Sequence, residues 1–162
     1  REDLYQWAGP YLYSRQVVAV RTDSGIQTLA DLAGRRVAVQ ATGKPESIFL
    51  TSDAPGIAQV EAVYSFSTMD EVYACLRKGY ADAIAGHENA LGLFLASSPG
   101  SYRMLDETLD VSQLGVAFQK DTHQELAQAL TQTLAEMEAD GTTRAILERY
   151  GLDADRALGV TP

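Results

Sequence analysis

Within ten residues, Lys78-Gly79-Tyr80-Ala81-Asp82-Ala83-Ile84-Ala85-Gly86-His87, this chain closes a helix and starts a short buried strand. Gly79 suits the left-handed position after a helix C-terminus, and Lys78 complements the negative end of that helix. Residues 83–85 are apolar on both alternating faces, the mark of a parallel strand covered by helices on either side. Such a strand belongs to an α/β sheet, and open α/β sheets take ligands beyond the carboxyl ends of their strands. This strand runs directly into His87 and Glu88. The pair either faces a ligand or caps a helix that starts at Asn89.

Strands and helices alternate along the rest of the chain. Residues 5–7 read as a brief extended piece, Gly9-Pro10 as a turn, and residues 14–21, with Val17, Val18 and Val20, as a long strand. Thr28 is placed to cap a short helix through Leu32 that Gly34 ends, and residues 35–40 form a strand with Val37 and Val39 on one face. Next comes Ala41-Thr42-Gly43-Lys44-Pro45-Glu46, where a strand ends, a glycine permits close backbone approach, and Pro45 launches a helix carrying Ile48, Phe49 and Leu50. The first turn of that helix offers N–H groups and a positive dipole end to an anion, although a Gly-Lys-Pro turn is also an ordinary connector. Residues 60–64 read as a strand. Ser67 or Thr68, with Asp70 or Glu71 three residues on, makes a capping box for a helix over 69–78. A helix over 89–96, a turn at Ser98-Pro99-Gly100 and strands at 102–105 and 113–119 follow. After Thr122 an amphipathic helix carries Leu126, Leu130, Leu134 and Met137, stops near Gly141, and yields to a second helix through Tyr150.

With 162 residues, 46% of them hydrophobic, the chain can bury one good core or two modest lobes. The net charge of −9 and the scattered Lys and Arg residues argue against nucleic acid as a partner. The single cysteine, Cys75, can form no internal disulfide and shares an apolar helix face with Val72 and Leu76, so it reads as a small core hydrophobe. No run approaches the ~20 apolar residues of a membrane span. The chain opens at Arg1 in what reads as mid-domain sequence, so an absent upstream part is expected. It holds no Gly-x-Ser-x-Gly elbow, no complete phosphate loop and no spaced His/Cys metal set, and its only adjacent acid and base are His87 and Glu88. The expectation is therefore no catalytic residue, no metal and no cofactor. His123 reads as a first-turn helix residue, Tyr80 and Tyr102 as packing or surface aromatics, and Trp7 as a core or cleft-wall side chain.

Five segments in order carry a resemblance: Gly9-Pro10-Tyr11 ahead of the valine-rich strand, Thr28-Leu29-Ala30-Asp31-Leu32-Ala33-Gly34-Arg35-Arg36-Val37-Ala38-Val39-Gln40, residues 76–85, Leu114-Gly115-Val116-Ala117-Phe118, and residues 134–150. Together they resemble family 3 of the bacterial extracytoplasmic solute-binding proteins, which serves polar amino acid ABC importers and includes related sensor domains. The resemblance implies an α/β, periplasmic-binding-protein-like (type II) clamshell, two lobes joined by two crossing strands with ligand held between them. On that likeness the crossings fall at residues 11–15 and 110–114. Residues 16–110 would then be a complete second lobe, and residues 1–15 and 111–162 a partial first lobe. The tail helices, deprived of their usual sheet, are expected to pack against the second lobe or against another copy of the chain, as in a homodimer.

The same resemblance implies site residues. Arg1 stands six residues before Trp7, where the family places the arginine that clamps a ligand α-carboxylate, although a terminal charge is the alternative reading. The loop from Ala41 to Lys44 matches the segment whose backbone N–H groups share that carboxylate, and Gln40, Thr42, Gly43 and Lys44 are its candidate ligand-binding residues. Where amino acid binders of the family carry an aspartate for the ligand ammonium, this chain has His87, which cannot supply a negative charge. Either Glu88 takes over, or the ligand lacks an α-ammonium, or the chain does not bind amino acids. Arg1, Lys44, His87 and a helix N-terminus together would suit an organic acid or an acidic amino acid. The implied function is capture of a small polar solute for the membrane permease of an ABC importer, outside the cytoplasm. The alternatives are a ligand sensor fused to a membrane kinase or cyclase, and a dehydratase-type enzyme on the same fold.

Overall fold

Two strands much longer than their local sequence suggests run through the whole protein. In the computed structural model, which describes residues 4–51, 57 and 59–160, the pieces read as separate before and after Gly9-Pro10 join into one strand, β1 (Tyr5–Arg21). Gly9-Pro10 is not a turn: Gly9 takes φ 102°, a left-handed value open to a residue without Cβ, and the strand continues through a cis peptide bond to Pro10. The two short strands expected at 102–105 and 113–119 likewise join, as β5 (Tyr102–Gln119). Asp106 and Glu107 between them read as loop residues, yet they lie exposed on a strand whose Leu105 and Leu109 are buried.

Between these strands lie β2 (Arg36–Gln40), α1 (Lys44–Thr51), β3 (Ala62–Phe66), α2 (Met69–Arg77), β4 (Ala83–His87) and α3 (Glu88–Ala96); after them come α4 (Gln124–Ala139), α5 (Thr142–Arg149) and α6 (Ala154–Ala157). The expected strand over 60–64 falls two residues later, as β3. A single 3-10 turn at Ala30–Leu32 replaces the helix expected after Thr28, whose hydroxyl donates to Asp31 rather than capping. The capping box predicted for α2 is present: Thr68 accepts from the Glu71 amide, and the Glu71 carboxylate accepts from the Thr68 amide at 3.0 Å.

The five strands form one sheet in the order β3-β2-β4-β1-β5. β2 runs parallel to β3 and to β4, and β1 runs antiparallel to β4. By packing the chain divides into two units, Arg1–Ser14 with Ser112–Pro162 (unit 1) and Arg15–Val111 (unit 2), and β1 and β5 contribute residues to both.

Unit 2 is a three-layer α/β body. Val18, Val20, Val37, Val39, Ala83 and Ala85 face one side of the sheet with Ile48 and Phe49 of α1 and with Leu105 and Leu109 of β5. Val17, Ala19, Ala38 and Ile84 face the other, against Val72, Cys75 and Leu76 of α2 and Leu91 and Phe94 of α3. Alternate residues of each central strand thus enter different cores, which is why these strands are apolar throughout. Burial pushes the Cys75 thiol up from its ordinary range, as befits a packing residue.

At the amino ends of β2 and β4, Asp82 accepts from Arg36 through the amide (2.9 Å), Nε (3.0 Å) and an η nitrogen (2.7 Å), and the Asp82 amide donates back to the Arg36 carbonyl (2.8 Å). These bonds hold the Asp82 carboxyl below the usual carboxylate range.

Unit 1 is smaller and less enclosed. Thr131 of α4 accepts from the Gly9 amide at 3.0 Å and donates to the Ala127 carbonyl, fastening α4 to the first part of β1. Arg144 of α5 binds Asp155 of α6 at 2.6 Å. Of the apolar stripe on α4, Leu126 is exposed and Leu130, Leu134 and Met137 are half-buried.

Two substitutions test this packing. Leu76→Ala, at a fully buried position, is expected to lower unfolding free energy by about 2–5 kcal/mol in urea denaturation. Asp82→Asn should cost about 1 kcal/mol at pH 7. Because the folded-state pKa of Asp82 is depressed, its contribution is present above the unfolded value of about 3.9 and is lost as pH falls through the folded value. The deficit of Asp82→Asn should therefore shrink only as pH falls below about 4.

Candidate functional site

The register of β2 on β4 decides which residues of unit 2 share an edge. Val37 pairs with Ala83, Ala38 with Ile84 and Val39 with Ala85, in parallel, so both strands leave the sheet at the same end. β2 delivers Gln40 and the turn that follows it; β4 delivers His87 and the start of α3. β3 ends on the same side, with Gln40 opposite Phe66 and Ser67-Thr68 next in the chain. The antiparallel neighbour β1 enters unit 2 here, because Gln16 is opposite His87. The candidate edge is therefore built from three strand ends and the passage of β1 beside them.

Gln40 closes β2 and donates from its side-chain amide to the Ser67 carbonyl at 3.2 Å, tying two strand ends together. Thr42 follows in a left-handed conformation, φ 61°, which costs a β-branched residue about 1–2 kcal/mol. Its amide donates to the Glu46 carboxylate at 2.6 Å. The Ser65 hydroxyl and that amide hold the Glu46 carboxyl below the ordinary range. The Gly43 amide donates to the Gln40 carbonyl at 3.3 Å, and a Cβ at Gly43 would meet that same oxygen at 3.0 Å. Lys44 opens α1, its Nζ 3.7 Å from Asp110 on β5.

These contacts correct the charge picture drawn from sequence. Two of the turn's N–H groups, expected to face a ligand carboxylate, are engaged within the turn: Glu46, four residues after Thr42, acts as an internal anion. Lys44 was expected to add local positive charge, and Asp110 offsets it.

At the tip of β4, His87 is the N-cap of α3: its Nδ1 accepts from the Asn89 amide at 3.3 Å. Glu88 lies in the first turn of that helix, half-buried, where a carboxylate complements the dipole. Of the two readings of the pair, the cap is the one the structure displays, with His87 capping the helix from the strand tip. Arg1 lies outside the described residues. Among the described residues, no group of three or more His, Cys, Asp or Glu side chains is arranged to hold a metal, and no helix is long and apolar enough to cross a membrane.

Sequence reasoning missed Arg15, Gln16, Glu46, Ser67 and Asp110. Arg15 is buried, 4% exposed, immediately before the partner of His87. Glu46 was detectable, as a carboxylate in the first turn of a helix behind a strained loop. Gln16 and Asp110 carry no local signal, because their place depends on which distant strand β1 and β5 pair with.

Trp7 is half-exposed and lines a hollow of about 300 Å³ in unit 1 with Gly9, Pro10, Gln113, Leu114 and Gly115.

The family model described as "ABC transporter, phosphonate, periplasmic substrate-binding protein" matches residues 9–157. The chain belongs to this family of periplasmic substrate-binding proteins. The glutamate-binding protein GluB of Corynebacterium efficiens is 27% identical over 169 residues, an alignment covering 100% of this chain and 56% of the relative. The histidine-binding periplasmic protein of Salmonella typhimurium is 33% identical over 146 residues, covering 85% and 54%. Among solved structures, an ancestral arginine-binding protein bound to glutamine superposes with a TM-score of 0.69 at 26% identity, over 90% of this chain and 63% of that one. The chain has the type II periplasmic-binding-protein fold that the sequence resemblance implied. It spans about half the length of the curated relatives it matches.

Relief of strain at Thr42 is measurable in this chain. Thr42→Gly should raise the midpoint of thermal unfolding, with a gain of at most about 1 kcal/mol after the extra entropy of an unfolded glycine is counted. A lower midpoint would show that the Thr42 side chain is itself structural.

Proposed function

We propose that this chain captures a small polar solute, an amino acid or a small organic acid, at the carboxyl edge of unit 2 and presents it to the membrane permease of an ABC importer outside the cytoplasm. The observation that carries the reading is the parallel pairing of β2 with β4, which sets Gln40, Thr42, Gly43 and Lys44 beside His87 and Glu88. These six, with Arg1 as the carboxylate clamp, are the proposed ligand contacts. Arg15–Val111 is proposed as one lobe of the binding protein and unit 1 as part of the other. The family description names phosphonate, and the relatives are named for glutamate and histidine, so the shared property is a small, polar, charged solute. Capture without turnover fits a family of transport components, and that membership favours an importer over a sensor fused to a kinase or cyclase.

Isothermal titration of the full chain with amino acids, small organic acids and phosphonates tests this reading. One of them should bind saturably with 1:1 stoichiometry and raise the unfolding midpoint. Gly43→Val, whose Cβ would press on the Gln40 carbonyl, should weaken that binding at least tenfold while circular dichroism shows the chain folded. No binding across the panel, or unchanged binding by Gly43→Val, contradicts the assignment.

A further inference from the structure

The half-buried Glu46 carboxylate is gripped from two sides. It reaches back four residues from the first turn of α1 to accept from the Thr42 amide at 2.6 Å, and it also accepts from the Ser65 hydroxyl. Ser65 stands opposite Val39 in the β2–β3 ladder, one pair before Gln40 and Phe66 close it. The carboxylate thus ties β3, the turn that leaves β2, and the helix that follows.

What it ties is backbone that would not hold its shape unaided. Thr42 has φ 61°, and an L residue with a branched Cβ is biased about 5- to 30-fold against that conformation. Neighbouring bonds fix the flanks: the Ala41 amide donates to the Phe66 carbonyl at 2.8 Å, and the Gly43 amide to the Gln40 carbonyl at 3.3 Å. The Glu46 bond acts on the Thr42 peptide itself. Were Thr42 to relax to a right-handed or extended conformation, Gly43 and Lys44, the next residues in the chain and both proposed solute contacts, would leave their places.

We infer that Glu46 is a positioning residue: its carboxylate holds Thr42 left-handed before a solute arrives, and so sets the fraction of molecules whose Gly43 and Lys44 are in place to bind. Apparent affinity falls in proportion to that fraction. The inference rests on the solute-binding reading above and adds the residue that prepares its site.

A double-mutant cycle read by isothermal titration tests it in the full chain, with L-glutamate, L-histidine, succinate and methylphosphonate as probes. For a probe that binds, Glu46→Ala should weaken affinity at least fivefold. Glu46→Gln, which keeps an acceptor oxygen, should stay within about threefold. In the Thr42→Gly background the left-handed conformation carries no Cβ penalty, so adding Glu46→Ala should there cost less than twofold. Circular dichroism checks that each variant is folded; if Glu46→Ala is not, Glu46→Ser, whose hydroxyl is too short to reach the Thr42 amide, takes its place in the cycle. An equal loss in both backgrounds overturns the inference, because Glu46 would then touch the solute itself. Unchanged affinity, with only the unfolding midpoint lowered, overturns it in favour of a purely structural role, and tighter binding by Glu46→Ala would make Glu46 a competitor for the turn. Each of these leaves solute binding standing, whereas failure of all the probes to bind the unaltered chain overturns both the inference and the reading beneath it.

Discussion

The parallel ladder between β2 and β4 is the constraint from which the rest follows. Its register places Val39 beside Ala85, and β2 reaches polar sequence one residue further at Gln40 and β4 two residues further at His87, on the same edge. Three consecutive pairs of small or β-branched residues hold it, each buried on both faces of the sheet. A slip of one residue would exchange the two cores, turning Val37 and Val39 toward the side now filled by Ala38 and Ile84. The Arg36–Asp82 bridge pins the opposite end of the same two strands. Packing, ion pair and strand-end chemistry are therefore one device.

Local strain and local capping then shape the edge. Thr42 is held in a left-handed conformation by a turn whose donors are answered by Glu46 and Gln40, and Gln40 in turn grips the end of β3. Strained backbone of this kind persists where the surrounding structure over-determines it. His87 is fixed in the same manner from the other strand, by the helix it caps. A site whose polar groups are tied down before a solute arrives loses less freedom on binding.

How much of this was legible in the chain depends on the range of the interaction. The Thr68 capping box, Gly79 after α2 (φ 73°) and the fully apolar strand β4 are local matters, and residue type predicted them directly. The joining of β1 across Gly9-Pro10 was not legible, because a Gly-Pro pair reads as a break unless a neighbouring strand holds it extended. The unbroken course of β5 through Asp106 and Glu107 was hidden for a related reason: both residues are exposed, so the apolar alternation of a half-buried strand is interrupted there. The candidate site divides in the same way. Gln40, Thr42, Gly43, Lys44, His87 and Glu88 follow strand ends that the hydrophobic pattern marks, whereas Arg15, Gln16 and Asp110 arrive from strands distant in sequence.

The central claim is that one edge of unit 2, where β2 and β4 end together, receives the solute. Backbone amide chemical shifts measured by NMR while a binding solute is titrated to saturation address it most directly. The account predicts that the largest changes cluster at Thr42, Gly43, Lys44, His87, Glu88 and Asn89. Changes centred instead on Arg35, Gly79 and Ala81, at the opposite ends of the same strands, would contradict it.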